Sequence, residues 1–103
     1  MIYELRTYHM NPGKLDAICG RFRNHTLKLF ARHGMKVVNF WVDADGKETL
    51  YYVMEFTDKD EKVRLWKEFF SDPDWIKAKA DSEVDGKLVA QVISNVMEVA
   101  PFF

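Results

Sequence analysis

The sequence predicts an α+β domain of order β-α-β-β-α-β, the ferredoxin-like arrangement, and three observations carry that prediction. An alternating, aromatic-rich stretch opens the chain at residues 2–10. Two helical stripes of apolar residues, over 12–33 and from 57 onward, are separated by a hairpin pattern. The chain then closes on a run rich in Val, Ile and Met between Leu88 and Val99. At 103 residues, with 48% hydrophobic residues including eight Phe, four Tyr and three Trp, it has material for one filled core.

Each element follows from local chemistry. In the first strand Tyr3, Leu5 and Thr7 point one way and Glu4, Arg6 and Tyr8 the other, by the two-residue period of a strand. Asn11-Pro12-Gly13 reads as a helix start, with Asn11 as cap and Pro12 at the first helical position. The helix over 12–33 carries Leu15, Ile18, Cys19, Phe22, Thr26, Leu29 and Phe30 on one stripe and stops at Gly34. Residues 35–43 form a nearly continuous apolar strand, which predicts cover on both faces. Ala44-Asp45-Gly46-Lys47 turns the chain into a partner strand from Thr49 to Phe56.

The second half begins with Asp58 and Glu61 in capping-box spacing and an acidic first turn. Val63, Leu65, Trp66, Phe69 and Phe70 make the expected buried arc. Asp72-Pro73 restarts a short helix through Ser82, anchored by Trp75 and Ile76, and Asp85-Gly86 turns into the last strand. Right-handed crossovers place the two main helices on one face of a four-stranded antiparallel sheet. The expectation is that Glu4, Arg6 and Tyr8 lie on the other, uncovered face, with Glu55 as a partner for Arg6. Strands apolar on both sides would leave a large patch in water, and a homodimer closing that face, alone or within a higher oligomer of such dimers, is the simple remedy.

Composition excludes several classes of function. Fifteen basic residues face sixteen acidic ones, for a net charge of −1, so no electrostatic footprint for nucleic acid is present. No apolar run of about 18 residues occurs, so no membrane span is expected, and the absence of a signal-peptide pattern points to a cytoplasmic protein. Cys19 is the only cysteine and reads as a small core hydrophobe. P-loop, G-x-G-x-x-G, G-x-S-x-G and C-x-x-C motifs are absent, and no cofactor is implied. His25 and His33 stand eight residues apart on one helix, about 12 Å along its axis, too far to share a metal ion.

The candidate chemistry each has a plainer structural reading. His33, before Gly34, caps the helix's last carbonyls. His25, at the edge of the apolar stripe beside Phe22 and Leu29, is either a hydrogen-bonded edge histidine or a general base or haem ligand facing a helix–sheet cavity. Glu4, Arg6 and Tyr8 are either a buried network at a dimer interface or a pocket where Arg6 holds a carboxylate or enolate and Tyr8 supplies a proton. Phe22, Trp41, Tyr52 and Trp66, with Phe40, Tyr51, Phe69 and Phe70, either fill the core or line a flat apolar pocket. Arg6, Tyr8, Phe22, Trp41, Tyr52 and Trp66 are therefore the candidate ligand-binding residues, and His25 the candidate catalytic one. The terminal Pro101-Phe102-Phe103 is an apolar tail suited to docking on a partner or on the chain's own helices.

The opening I-Y-E-L-R-T-Y at 2–8 resembles the opening motif of the NIPSNAP family. The likeness continues through Pro12-Gly13-Lys14-Leu15, Arg21-Phe22-Arg23, His25, the block Leu29 to Met35, Phe40-Trp41, and Asp72-Pro73-Asp74-Trp75. It spans residues 2 to about 76, and its first block is the most specific. The resemblance implies a dimeric α+β barrel, shared with antibiotic-biosynthesis monooxygenases, muconolactone isomerases and haem-degrading relatives. It carries over no reaction and no catalytic set. Eukaryotic members, associated with mitochondria and organelle turnover, are longer, so this chain is more similar to the bacterial branch. Fold sharing is analogy for function. Two readings follow: a small-molecule binding protein or cofactor-independent enzyme of oxygenase or isomerase type, and a non-catalytic dimeric interaction module.

Overall fold

The computed structural model describes residues 1–103, built as β1 (Ile2–Met10), a long helical segment, β2 (Lys36–Val42), β3 (Thr49–Phe56), two further helices and β4 (Val89–Met97). The four strands form one antiparallel sheet in the order β2-β3-β1-β4. The element order and the sheet are those of the predicted ferredoxin-like α+β fold. β1 sits at the centre, paired with β3 through Ile2↔Phe56 and Arg6↔Tyr52, and with β4 through Glu4↔Val96 and Arg6↔Ser94.

The first helical segment departs from the expected uninterrupted helix over 12–33. It begins at Leu15 as α1 (Leu15–Arg21), widens into a π-helical turn over Phe22–Thr26, and resumes as α2 (Leu27–Arg32). Asn11 is not its cap. Gly13, at φ 77°, cannot belong to a right-handed first turn, and its N–H donates to both carboxylate oxygens of Glu48 at 3.0 and 2.8 Å. The Asn11 side chain instead donates to the Lys87 carbonyl. In the π turn the Leu27 N–H reaches back five residues to the Phe22 carbonyl, and the Thr26 hydroxyl donates to the Arg21 carbonyl at 3.4 Å. The segment closes at Gly34 (φ 71°), where the Met35 N–H bonds the Phe30 carbonyl, as a glycine stop requires.

α3 (Lys59–Phe70) starts on the predicted box: the Asp58 carboxylate accepts from the Glu61 N–H at 2.8 Å, while Glu61 accepts from the Thr57 N–H at 3.0 Å. α4 (Pro73–Ser82) is capped by Asp72, which accepts from the Asp74 N–H at 2.9 Å. Of the expected buried arc, Leu65, Trp66 and Phe69 are buried but Val63 and Phe70 are exposed, and in α4 Trp75 is buried while Ile76 is not. The buried stripe is narrow: Trp66 and Phe69 meet Phe30 of α2, and Phe69 meets Trp75 of α4, which leaves Val63, Phe70 and Ile76 on the outer side.

The helices cover the face of the sheet that carries Glu4, Arg6 and Tyr8, not the opposite face as expected. Tyr8 contacts Phe22 with ring centroids 6.2 Å apart, and the Trp66 indole of α3 donates to Glu4. Leu50, Tyr52, Met54 and Phe56 of β3 lie on the same buried face. The cross-strand pairs place Tyr3, Leu5, Tyr51, Val53, Ile93 and Met97 together on the other face, which no element of the chain covers. Glu55 is there too, opposite Tyr3, so it cannot partner Arg6. The expected cover on both faces of β2 is not supplied by this chain either. β2 is an edge strand with a bulge at Val38, and Val38 and Trp41 are about half exposed.

Candidate functional site

Beneath the helices the centre of β1 builds a buried polar cluster. Glu4, only 1% exposed, accepts hydrogen bonds from the Trp66 indole (2.6 Å), the Ser94 hydroxyl (2.5 Å) and Arg6 Nη1 (3.1 Å). Arg6 donates from Nε to the Tyr52 hydroxyl (2.8 Å) and from Nη2 to the Tyr8 hydroxyl (3.3 Å), and its guanidinium lies 4.3 Å from the Trp66 ring centre. The two phenols share a hydrogen bond of 2.7 Å. A buried charge needs such partners; Glu4, Arg6 and Tyr8 are placed by alternation along one strand, Tyr52 and Ser94 by cross-strand pairing with Arg6, and Trp66 by the docking of α3.

The electrostatics follow from that packing. Burial alone pulls the Arg6 guanidinium down, but Tyr52, Tyr8 and Glu4 more than offset it and hold it above its ordinary range. Burial, then Tyr8, pushes the fully buried Tyr52 phenol well up, against the opposing pull of Arg6, so it stays protonated at neutral pH. The pair carries two hydroxyl hydrogens and spends one on its mutual bond. The second finds no acceptor in the chain, which leaves the cluster with more donors than acceptors.

A groove of about 380 Å³ adjoins the cluster, between the first helical segment and the β2–β3 hairpin. Phe22 and Phe40 separate the two: each packs on the Tyr52 ring, at 5.4 and 5.0 Å between centroids, and each also lines the groove. Cys19, Arg23 and Leu27 form the helix wall, and Trp41, Val42 and Leu50 the strand wall. The π turn lies along this wall, at the kind of backbone feature that often marks functional positions.

Of the residues singled out in the sequence, Arg6, Tyr8, Tyr52 and Trp66 come together in the cluster, Phe22 joins cluster to groove, and Trp41 stands at the groove's rim. His25, placed at the edge of the apolar stripe with a helix–sheet cavity as one of its two readings, is exposed on the outer side, away from that cavity. It lines a polar depression with Lys28, Arg32, Asp74 and Lys77, because Phe22 and Thr26 turn inward and carry Arg23, Asn24 and His25 outward. His33 does not cap its own helix. Its Nε2 meets the Asp72 carboxylate at 2.7 Å, and Arg32 binds the same carboxylate, which joins the end of α2 to the cap of α4. The Arg32 and His33 contacts, with the Asp74 N–H, hold the Asp72 carboxyl well below the usual carboxylate range.

Sequence reasoning did not single out Ser94, Arg23, Leu27, Val42 or Leu50. The four-residue spacing of Cys19, Arg23 and Leu27 along one helix ridge was the available signal for the helix wall. No group of three or more His, Cys, Asp or Glu side chains gathers at metal-binding distance, and no helix is long and apolar enough to cross a membrane.

Comparison with known proteins agrees with the architecture. A NIPSNAP domain protein from Burkholderia xenovorans superposes with a TM-score of 0.84 at 17% identity, covering 100% of this chain and 98% of that one. A NIPSNAP family protein of unknown function from Agrobacterium tumefaciens gives 0.82 at 19% identity, over 100% and 94% of the two chains. An antibiotic biosynthesis monooxygenase shares the fold more distantly, with a TM-score of 0.67 at 11% identity over 98% and 100%. No curated protein matches the sequence. The NIPSNAP family model matches residues 3–103, essentially the whole length, and the chain belongs to the NIPSNAP family.

Proposed function

We propose that this protein binds a small apolar or aromatic ligand in the groove between the π turn and the β2–β3 hairpin, with Phe22 and Phe40 as its floor and Trp41 at its rim. One observation carries the reading: seven of the eight lining residues are hydrophobic, in a concavity of about 380 Å³, within the size range of small-molecule sites. The test is a titration with naphthalene-2-carboxamide, read by tryptophan fluorescence. Leu27→Lys, at an exposed helix position on the wall, is expected to weaken binding at least about tenfold, by placing a charge against an apolar ligand. His25→Ala, on the outer surface, is expected to leave it unchanged. Absence of binding, or equal binding by Leu27→Lys, sinks the reading.

The donor surplus beneath the groove favours a second reading, turnover of isomerase or oxygenase type without a bound cofactor. The Tyr8–Tyr52 pair holds one hydroxyl hydrogen with no acceptor and Arg6 lies beside it, a proton donor and a cation for a developing oxyanion. Turnover on this reading requires the Phe22 and Phe40 rings that separate the pair from the groove to move aside. One protein of similar fold is named an antibiotic biosynthesis monooxygenase. Product formation from a bound ligand that is lost in Tyr8→Phe, with binding retained, supports turnover. Binding without product leaves the groove a binding site only.

A second copy of the chain is the proposed cover for the open sheet face. Tyr3, Leu5, Tyr51, Val53, Ile93 and Met97 form an apolar surface there, and Phe102 and Phe103 lie beside Tyr3, Val53 and Met97 at its end. Two-fold pairing removes such a surface from water at the least cost in new sequence. Light scattering is expected to give twice the chain mass for the wild type and the single mass for Val53→Glu. A monomeric wild type overturns the pairing.

A further inference from the structure

We infer that the ligand of the groove is an apolar monocarboxylic acid, its hydrocarbon body on the Phe22–Phe40 floor and its carboxylate on Arg23. This deepens the groove reading above and rests on it. Arg23 is the one charged residue among the eight that line the groove. The chain has five arginines, and four of them already hold a carboxylate: Arg6 with Glu4, Arg21 with Glu83, Arg32 with Asp72 and Asp74, Arg64 with Glu68. Arg23 alone has none, and its exposed side chain makes no hydrogen bond to the chain.

Position gives that free guanidinium a direction. Cys19, Arg23 and Leu27 follow at four-residue spacing along one ridge, so the charge sits between two apolar neighbours at the lip of an apolar wall. A guanidinium presents a planar fork that matches a carboxylate through two parallel hydrogen bonds. One fork neutralises one negative charge, which suits a monoanion and leaves a phosphate dianion half-compensated. The rest of the lining offers almost no polar side chains, so a sugar or polyol would lose its hydration without replacement. The complement of this surface is therefore amphiphilic: hydrocarbon with a single acid at one end. Aromatic and aliphatic acids share that chemistry.

The experiment titrates the full chain with 2-naphthoate, naphthalene-2-carboxamide and decanoate at low ionic strength, for the wild type and Arg23→Gln. The wild type is expected to bind naphthoate about tenfold more tightly than its neutral amide, the size of a charge-assisted hydrogen bond. Arg23→Gln brings the acid down to the amide's affinity and leaves the amide unchanged. Added salt weakens the acid alone. An Arg23-dependent preference for decanoate over naphthoate supports the inference and assigns the aliphatic class; the reverse assigns the aromatic one. Equal affinity for naphthoate and amide, with Arg23→Gln altering no affinity, overturns the acid assignment while the groove stands. No binding of any of the three overturns both.

Discussion

The two faces of the single sheet differ in where their polar groups find partners: among the apolar core residues of one face sits a charged cluster, while the other leaves large apolar side chains without cover. The helix-covered face buries Glu4, Arg6, Tyr8 and Tyr52 at the molecule's centre, and the open face displays Tyr3, Leu5, Tyr51, Val53 and Met97 with no helix above them. The difference lies in which side chains find partners. Trp66 and Ser94 arrive from α3 and β4 to complete the bonds of Glu4, so the charged face can be covered. The open face meets no helix of its own chain, only the C-terminal Phe102 and Phe103 at one end. Burial here follows the supply of hydrogen bonds as much as it follows polarity.

The largest effect is expected from breaking the covered face. Glu4→Ala leaves the Arg6 charge and the Trp66 N–H without their acceptor, a loss of about 3–5 kcal/mol for one half of a buried pair. Urea unfolding measures it. Adding Arg6→Met to that variant is expected to recover a large part, because no orphan charge then remains. If the double variant is no more stable than Glu4→Ala, the cost lies in packing and not in the unpaired charge.

Tyr52→Phe sharpens the comparison at a smaller scale. It removes one hydroxyl from the fully buried face and leaves Arg6 Nε and the Tyr8 hydroxyl each short of a partner, at a cost of about 1–3 kcal/mol by the same unfolding measurement. Tyr51→Phe, one residue along on the open face, is expected to change stability by less than about 0.5 kcal/mol, because the Tyr51 hydroxyl has no partner to lose. Equal losses at the two positions would erase the contrast between the faces.

The smallest effect is a pH dependence at the helix junction, away from both faces. The Asp72 carboxyl is held below its ordinary value of about 3.9 by Arg32 and His33, so its folded form binds a proton less readily than its unfolded form. Its contribution to stability is therefore complete above about pH 4 and declines as the pH falls toward the lower folded value. Acid unfolding of Asp72→Asn, followed by circular dichroism from pH 5 downward, is expected to show a shallower loss of stability than the wild type. An unchanged slope would remove Asp72 from the acid response.

Much of this fold was legible before the structure. Alternation located β1, capping chemistry located the start of α3 at Asp58 and of α4 at Asp72, and Gly34 marked the end of the first helical segment. Each of those signals acts within a few residues. The errors share the opposite character. Pro12-Gly13 imitates a helix start, but Glu48, far along the chain, holds Gly13 in a turn. His33 sits where a helix-capping residue belongs, yet Asp72 takes it. The five-residue reach from Leu27 to Phe22 leaves no distinct pattern in the apolar stripe, so regular helical spacing put His25 at the stripe's edge, where the π turn carries it outward.

By itself the sequence determined that β1 has two faces and which residues share each. It determined the order of the elements and an aromatic supply large enough for a core and a groove. Only the tertiary structure decided which face of β1 the helices would cover, that Glu4 would bond Trp66 and Ser94, and that Arg23 would be left without an acid at the groove's edge. The physical reason is range. Backbone propensity and capping are settled by neighbours along the chain, whereas the partner of a buried charge is settled by residues 62 or 90 positions away, which meet it only when the helices and β4 have docked.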